Sequence, residues 1–364
     1  MNFKLVLMIL VFFSCQKKNT QTILADANND TFFSDDQFTV RKHLAAIKWD
    51  AESMMAVPDG IFVREGEDIL IIKDRKSKPM VHLFSIENKK YIKSFGVNGR
   101  GPGEFLNINS IDYSPSNKIY WFYDGTLKRL TGFSPDIMLS SSEQVSPYKI
   151  IAITNEVALY KPQWLNTNIL VGTLSFSDER LAFIDFGGDL IKTTGRLPKL
   201  NNNIPEGMLS SFYGGTLRLN KDRIVVASKY CDMIDFYDEK GSEMMRLRGP
   251  EGFNPELEML EVPGMKGPIT AIGNKTRIGY QDVCATDDYI YLLYSGRSRK
   301  FEVENNIVMS SGRIIYVIDW EGKPIARLSL DYDLRFFSVD ESKKQIYGIA
   351  VGELYDIVSF NYKF

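Results

Sequence analysis

The chain has 364 residues, which is enough for one large domain or two ordinary ones. Its 44 Lys and Arg residues nearly balance 46 Asp and Glu residues, and no long basic run occurs, so nothing indicates a nucleic-acid partner. Only two histidines are present, which excludes a multi-histidine metal centre. The aromatic residues (23 Phe, 18 Tyr and 4 Trp) are spread along the chain and favour a β-rich core.

Residues 1–15 have the pattern of a bacterial export signal. One positive charge precedes the apolar run 5–13, which is too short to cross a membrane as a helix. The run ends at Ser14 and Cys15, and a small residue before a cysteine at this point resembles a bacterial lipobox, although Phe12 replaces the usual Leu. The resemblance implies that Cys15 is lipidated and becomes the mature N-terminus. The alternatives are an ordinary secretory signal with an incidental cysteine, or a buried N-terminal helix.

Residues 16–37 are rich in Gln, Asn, Thr and Asp and are predicted to form a flexible, solvated linker. A lipid anchor followed by a linker places the protein at the cell envelope, tethered to a membrane as a lipoprotein. Residues 16–18 lack the acidic cluster that resembles a surface-export signal, so we expect the periplasmic side rather than the cell surface.

The chain beyond the linker repeats a unit of four short β-type runs in about 45–50 residues. The third run of each unit ends in an aromatic residue or Ile, and a polar turn and a fourth run follow. The ends of the third runs in successive units are separated by about 40 to 53 residues. One interval is longer, about 84 residues, because it contains an insertion. The six ends are Ile86, Phe133, Phe186, Phe236, Trp320 and Phe360. Six such units predict an all-β, six-bladed β-propeller.

The last unit reaches the end of the chain at Phe364 after only three runs. A blade that lacks its outer strand leaves an unpaired sheet edge. Residues 38–47 contain a β-type run, and the first complete unit begins only near Ile61. We therefore predict that an N-terminal strand completes the last blade, and that residues 38–364 form one propeller domain.

Glycine-rich strings connect several units. The string Gly-Arg-Gly-Pro-Gly-Glu-Phe at 99–105 is echoed at 195–198 and 247–253. With residues 94–96 it resembles the inter-blade connection of NHL-like six-bladed propellers. Together, the lipobox and the loose repeats resemble the TolB-like six-bladed β-propeller lipoproteins of Bacteroides-type bacteria. This resemblance covers residues 38–364 and implies a fold rather than an activity.

Four residues are candidates for ligand binding. Arg100 and Glu104 lie in the glycine-rich string, and Arg248 lies in its echo. Glycines allow a backbone to approach a ligand closely, but the alternative is a structural crossover in which the two charges pair or cap locally. Trp164 is an aromatic residue near a loop that could stack on a sugar or a peptide, or else pack between blades.

A calcium site is the main alternative chemistry. Six-bladed lactonase and esterase propellers coordinate calcium in the central channel through oxygen ligands. Candidate carboxylates are Asp112, Asp282, Asp287, Asp288 and Asp340. Such residues are common beside the turns of any propeller, so we expect no resident metal or other cofactor. The chain has no Gly-x-Ser-x-Gly motif, which disfavours a Ser/His/Asp hydrolase.

Other features stay open. Cys231 and Cys284 fall in neighbouring units and either form a disulfide or remain buried free thiols. Residues 198–215 and 249–280 are longer than a turn requires and are candidates for specificity loops. The leading hypothesis is a non-catalytic binding or scaffold propeller for a protein, peptide or glycan partner. The alternatives are a calcium-dependent hydrolase or lactonase that uses the channel, and a sensor or assembly subunit.

Overall fold

The computed structural model describes residues 30–50, 55–142, 145–154, 157–200, 204–220, 222–264, 267–307, 310–352 and 354–364. Cys15 and residues 16–29 of the predicted linker lie outside these ranges. Across the described ranges, no helix combines the length and apolar composition needed to cross a membrane.

The regular secondary structure of the described chain consists mostly of β-strands. Three short strands come first: β1 (Asp30–Phe32), β2 (Val40–Leu44) and β3 (Ile47–Lys48). Blade 1 contains β4 (Pro58–Val63), β5 (Ile69–Asp74), β6 (Val81–Ser85) and β7 (Lys90–Phe95). Blade 2 contains β8 (Ile108–Ser114), β9 (Ile119–Asp124), β10 (Arg129–Phe133) and β11 (Lys149–Ala152). Blade 3 contains β12 (Leu159–Trp164), β13 (Ile169–Leu174), β14 (Glu179–Asp185) and β15 (Leu190–Arg196).

The second half of the ring carries the insertions. Blade 4 contains β16 (Thr216–Asn220), β17 (Arg223–Ala227), β18 (Met233–Asp238) and β19 (Glu243–Arg248). A hairpin of β20 (Glu258–Leu260) and β21 (Ile269–Ala271) follows. Blade 5 contains β22 (Tyr280–Ala285), β23 (Tyr289–Tyr294), β24 (Gly312–Asp319) and the first half of β25 (Pro324–Asp340). Blade 6 contains the second half of β25, β26 (Gln345–Val351) and β27 (Tyr355–Asn361).

Short helices occur in three connections between strands. They are α1 (Pro135–Leu139) between β10 and β11, α2 (Leu209–Tyr213) between blades 3 and 4, and α3 (Arg299–Glu304) between β23 and β24. In α1 and α3 a serine hydroxyl accepts a hydrogen bond from a backbone amide of the first turn, which stabilises a short helix. A 3-10 turn, Asp35–Gln37, precedes β2.

The six-bladed propeller predicted from the repeat is confirmed. The first strands of the six blades contact one another in a closed ring around a central channel. The middle strands, such as Ile69–Asp74 and Ile119–Asp124, are buried along their whole length because both of their faces pack against other blades. The main apolar clusters accordingly lie between neighbouring blades. All six predicted unit ends lie in the third strand of their blade or directly after it.

The closure of the ring by an N-terminal strand is also confirmed, but the residues of this segment pair with two blades rather than one. Ile47 and Lys48 in β3 pair antiparallel with β27 and supply the fourth strand of blade 6. Residues 40–44, which the sequence assigned to the same closing strand, instead pair parallel with residues 326–330 as a fifth strand of blade 5. A parallel neighbour cannot come from a hairpin, so only a segment distant in sequence can cover this edge.

The last eight residues of the predicted linker are packed on the propeller. Strand β1 pairs parallel with β19 at the outer edge of blade 4. Phe33 and Phe38 are buried, and their rings lie 5.9 and 4.9 Å from the ring of Tyr316. Burying two aromatic rings offsets the entropy lost when this polar segment is ordered. The prediction of a flexible linker over residues 16–37 is therefore wrong for residues 30–37.

Candidate functional site

The central channel contains two chambers. Each first strand begins after the connection from the preceding blade, and we call the end where these strands begin the upper end of the channel. The upper chamber has a volume of about 260 Å³, and the lower chamber has a volume of about 490 Å³. Lys161 and Phe336 line both chambers and therefore lie between them.

The upper chamber is lined by positive charge. Its charged lining residues are Lys161, Lys229, Arg299 and Arg335, and the described lining contains no Asp or Glu. They come from blade 3, from the connections β17–β18 and β23–β24, and from the start of the inner strand of blade 6. The ring therefore brings four cations from distant parts of the chain to one cavity.

Lys161 occupies an unusual backbone conformation. Its φ is +45°, in the left-handed region, and the register between β12 and β13 shifts at this point. A side chain in this region is strained, and such strain is often found at functional sites. The Lys161 ammonium lies 3.2 Å from Thr216 Oγ1 and 3.5 Å from Asp282 Oδ1. Among the described residues, one long ion pair therefore compensates the Lys161 charge on the lower side.

Lys229 is the least compensated of the four cations. Burial lowers the pKa of its ammonium, and the nearby Lys161 and Arg335 lower this pKa further. Within the described part of the chain, Lys229 forms no ion pair. Conversely, the Lys161 ammonium lowers the pKa of the Tyr160 hydroxyl, with a further contribution from Lys229. Both shifts have the direction that a strongly positive potential produces.

The other two cations each have a partner. Arg299 lies 3.5 Å from Glu302, whose carboxylate is buried behind the chamber wall. Arg335 donates a hydrogen bond from Nη1 to the backbone oxygen of Pro58 at 3.0 Å, which joins blade 6 to blade 1. A backbone oxygen satisfies a donor but does not neutralise a charge. The chamber thus retains positive charge that the described residues do not balance.

The lower chamber has a different electrostatic character. Asp59 pairs with Lys73 at 3.0 Å, and Asp282 lies between Lys161 and Arg218. These carboxylates are engaged by cations rather than free for a metal. Among the described residues, no group of three or more His, Cys, Asp or Glu side chains converges on a possible metal position.

Asp112, like Glu65, is a carboxylate of the lower chamber that forms no ion pair among the described residues. It accepts a hydrogen bond from the backbone amide of Trp164 at 2.7 Å. Burial nevertheless raises the pKa of Asp112 to about 6. Its charge thus changes in a mildly acidic range, where an ordinary aspartate is fully ionised.

The glycine-rich string that contains Arg100 and Glu104 is a crossover between blades 1 and 2, and it lines neither chamber. The Glu104 side chain accepts from the backbone amide of Gly101 at 2.6 Å. Arg129 donates to the backbone oxygens of Arg100 and Gly101 at 2.9 and 2.8 Å. These hydrogen bonds hold the string in place from within the fold.

Trp164 and Arg248 lie in separate parts of the molecule. Trp164 lines the lower chamber, with its ring 5.4 Å from Trp121 and 5.6 Å from Phe186. It therefore packs between blades and also faces the channel cavity. Arg248 is buried at the outer edge of blade 4, where it pairs with Asp30 at 2.7 Å. This ion pair attaches the N-terminal segment to the propeller.

The basic residues of the upper chamber were not identified from the sequence. A common sequence position could have identified three lining residues of this chamber, because each lies near the start of an inner strand: Lys161, Gln281 and Arg335. An alignment of the six units could reveal polar residues at equivalent inner positions. Lys229 lies in a turn and has no such signal. The two cysteines of the described chain, Cys231 and Cys284, are free thiols.

Comparisons with known proteins agree with this architecture. The model of the TolB-like 6-blade propeller-like family matches residues 13–342. A member of the DUF4221 family from Bacteroides vulgatus ATCC 8482 is 12% identical over 89% of this chain and 97% of that chain, with a TM-score of 0.55. A protein from Bacteroides fragilis NCTC 9343, named "Putative exported protein", is 11% identical over 91% and 99% of the two chains, with a TM-score of 0.53. At these identities the two structures are similar in fold alone. No curated protein matches the sequence.

Proposed function

The chain belongs to the TolB-like 6-blade propeller-like family, and from this premise we propose that it is a non-catalytic binding propeller that holds an anionic group of its partner in the upper chamber. The observation that carries the proposal is the set of four cations that line this chamber without a carboxylate. A propeller fold by itself supports a binding or scaffold role and names no ligand. The positive charge of the chamber indicates that the bound group is negatively charged.

Electrostatics explain why an anion is favoured. A buried charge is costly unless an opposite charge pairs with it. Lys229 is desolvated and lies near two further cations, and the described residues do not provide it with an ion pair. An anion that enters the chamber removes this repulsion and gains several charge-assisted hydrogen bonds.

The loops around the upper end suit a macromolecular partner. The connections between strands that meet at this end carry exposed apolar side chains. Single exposed apolar residues are ordinary, whereas several on one face often mark an interaction surface. The exposed residues in these connections are Val97, Phe176, Met259, Leu260, Ile272, Phe301, Val303 and Leu354. A protein, peptide or glycan partner can thus place an acidic group in the chamber while it contacts the surrounding loops.

The proposal also includes attachment to the cell envelope. The N-terminal pattern supports lipidation of Cys15, and the missing acidic cluster supports a periplasm-facing position. The first described strand, β1, lies at the outer edge of blade 4 and not at the channel. A tether that joins the propeller at this edge leaves the upper chamber open to a partner.

Removal of Lys229 tests the proposal. We expect phosphate or succinate to stabilise the protein relative to chloride of equal ionic strength, by about 5 °C at a hundred times the Kd. Lys229→Met should lose most of this stabilisation. Because the uncompensated ammonium is gone, the same variant should unfold at a higher temperature than the wild type when no anion is added. Thermal unfolding followed by calorimetry measures both effects.

Lys300→Met is the matched control. Lys300 lies on α3 beside Arg299, with a side chain that is 68% exposed, and it does not line the chamber. This variant should respond to anions as the wild type does. The proposal is wrong if neither anion stabilises the wild type beyond chloride, or if Lys229→Met keeps the full response.

A further inference from the structure

We infer that the anion of the upper chamber is the carboxylate of a sugar acid, a uronate, one of whose ring hydroxyls donates a hydrogen bond to Gln281. The inference rests on the proposed function and adds the chemical class of the ligand. Three features of the chamber carry it: an unpaired buried acceptor, the balance of charge, and aromatic walls.

The unpaired acceptor belongs to Gln281. This side chain lines the upper chamber, is only 6% exposed, and donates from Nε2 to the backbone oxygen of Arg335 at 3.2 Å. A backbone oxygen can only accept, so the amide orientation is set and Oε1 points away from Arg335. Oε1 has no hydrogen-bond partner within the described chain. A buried acceptor without a partner is costly, and a ligand that donates to it is favoured.

This acceptor disfavours anions that only accept hydrogen bonds. Sulfate carries oxygen acceptors and has no donor for Oε1. A sugar acid has a carboxylate for the cations and hydroxyls that donate. Sites built to hydrogen-bond a ligand hydroxyl discriminate strongly against analogues that lack it, because the buried polar group of the site is then left unpaired.

The charge balance fits a carboxylate. Lys161 already forms an ion pair with Asp282, and Arg299 already forms one with Glu302. Lys229 and Arg335 remain without a carboxylate partner in the described ranges. Two cations match the two oxygens of one carboxylate, and a more highly charged ligand is not required.

The chamber walls fit a sugar ring. The Lys161 ammonium lies 5.6 Å from the ring centre of Tyr160 and 5.5 Å from that of Phe336, so two aromatic rings line the chamber beside this cation. An aromatic face packs well against the C–H face of a pyranose ring. A volume of about 260 Å³ lies just below the range of about 300–1,000 Å³ typical for drug-sized ligands. One sugar ring therefore fits inside the chamber.

Calorimetric titration of the full chain tests the inference with four probes: D-glucuronate, D-glucose, inorganic sulfate and N-acetylglycine. Glucuronate should bind most tightly, because glucose lacks the carboxylate, sulfate lacks a hydrogen-bond donor, and N-acetylglycine lacks the ring. Gln281→Met should weaken glucuronate binding about three- to tenfold, the range expected for one hydrogen bond, and should not weaken sulfate binding. Gln163→Met, the same substitution in the lower chamber, should change neither.

The source of the sugar acid is distinguished by a short oligogalacturonate. Binding of both the oligomer and monomeric galacturonate assigns the site to a terminal unit of an acidic glycan, and binding of the monomer alone assigns it to a free sugar acid. The inference is overturned if sulfate or N-acetylglycine binds the wild type as tightly as glucuronate, or if Gln281→Met weakens sulfate and glucuronate binding equally. If no anion binds at all, it is the proposed function that fails.

Discussion

Two buried carboxylates of blade 4, only three residues apart, have different neighbours. Asp235 accepts from Nε of Arg246 at 2.6 Å. Asp232 accepts from the backbone amides of Glu251 and Gly252 at 2.7 and 2.9 Å but forms no ion pair within the described chain. Burial therefore raises the pKa of Asp232 to about 7. Neutral donors do not replace a cation when a carboxylate is removed from water.

This difference predicts a pH dependence of stability. Between pH 3.8 and about 7, the folded protein keeps a proton on Asp232 that the unfolded chain has released. The free energy of unfolding therefore falls as the pH rises through this window. Asp232→Asn lacks this contribution, so its stability relative to the wild type should increase from pH 4 to pH 7 and then level off. Urea unfolding of both proteins across this range measures the difference.

Other groups do not obscure this test. Asp112, with a pKa of about 6, titrates in both proteins and cancels from the comparison. Asp50→Asn, at an exposed position, is the control and should show no such trend. A constant difference between Asp232→Asn and the wild type at all pH values would contradict the raised pKa of Asp232.

Two glycines of the glycine-rich string have structural roles in the crossover between blades 1 and 2. A Cβ on Gly99 would lie 2.0 Å from Oε2 of Glu104, so the carboxylate occupies the space of a side chain. Gly103 has a φ of +76°, which favours glycine. Both glycines are explained by the crossover itself and require no ligand.

At the scale of elements, the closing strand is short but well anchored. Strand β3 contains only Ile47 and Lys48. The next residue, Trp49, is buried, and its backbone amide donates to the oxygen of Ile357 at 3.0 Å. Its indole donates to Ser359 Oγ at 3.1 Å. One buried aromatic residue thus contributes much of the contact between the N-terminal segment and blade 6.

Loss of this contact should destabilise the whole ring. We expect Trp49→Ala to lower the free energy of unfolding by about 3–5 kcal/mol, the usual cost of truncating a buried aromatic side chain. Ile47→Ala, two residues earlier in the same strand, removes a side chain that is 40% exposed and should cost about 1 kcal/mol or less. Chemical unfolding monitored by circular dichroism compares the two. Equal effects would mean that Trp49 does not anchor the closure.

At the scale of the whole molecule, the N-terminal segment covers three neighbouring blades. Strands β1, β2 and β3 pair in turn with the outer edges of blades 4, 5 and 6. This removes three exposed sheet edges, which are common sites of aggregation. It also places the start of the described chain at the perimeter, away from the upper chamber.

Membrane attachment can therefore be separated from ligand binding. Cys15→Ala should move the protein from the membrane fraction to the soluble fraction, because the lipid chains are the proposed anchor. The stabilisation by anions should be unchanged. Cys284→Ala, which alters a free thiol of the lower chamber, is the control and should stay with the membrane. Persistent membrane association of Cys15→Ala would contradict the lipoprotein proposal.

The sequence by itself determined the number of blades and the need for an N-terminal closing strand. Strand runs and polar turns are local patterns, and their repetition every 45–50 residues or so is visible without any contact between units. What covers an outer edge is not a local property. The packing of Phe33 and the parallel pairing of residues 40–44 therefore depend on partners almost 300 residues away.

Only the tertiary structure decided the candidate site. Lys161, Lys229, Gln281 and Arg335 come from four different blades or connections, and none belongs to a recognisable motif. Ring closure turns similar positions of separate repeats into neighbours around one axis, so a cavity lined by cations forms where the linear sequence has only scattered charges. A near-neutral chain can for this reason contain a strongly positive chamber.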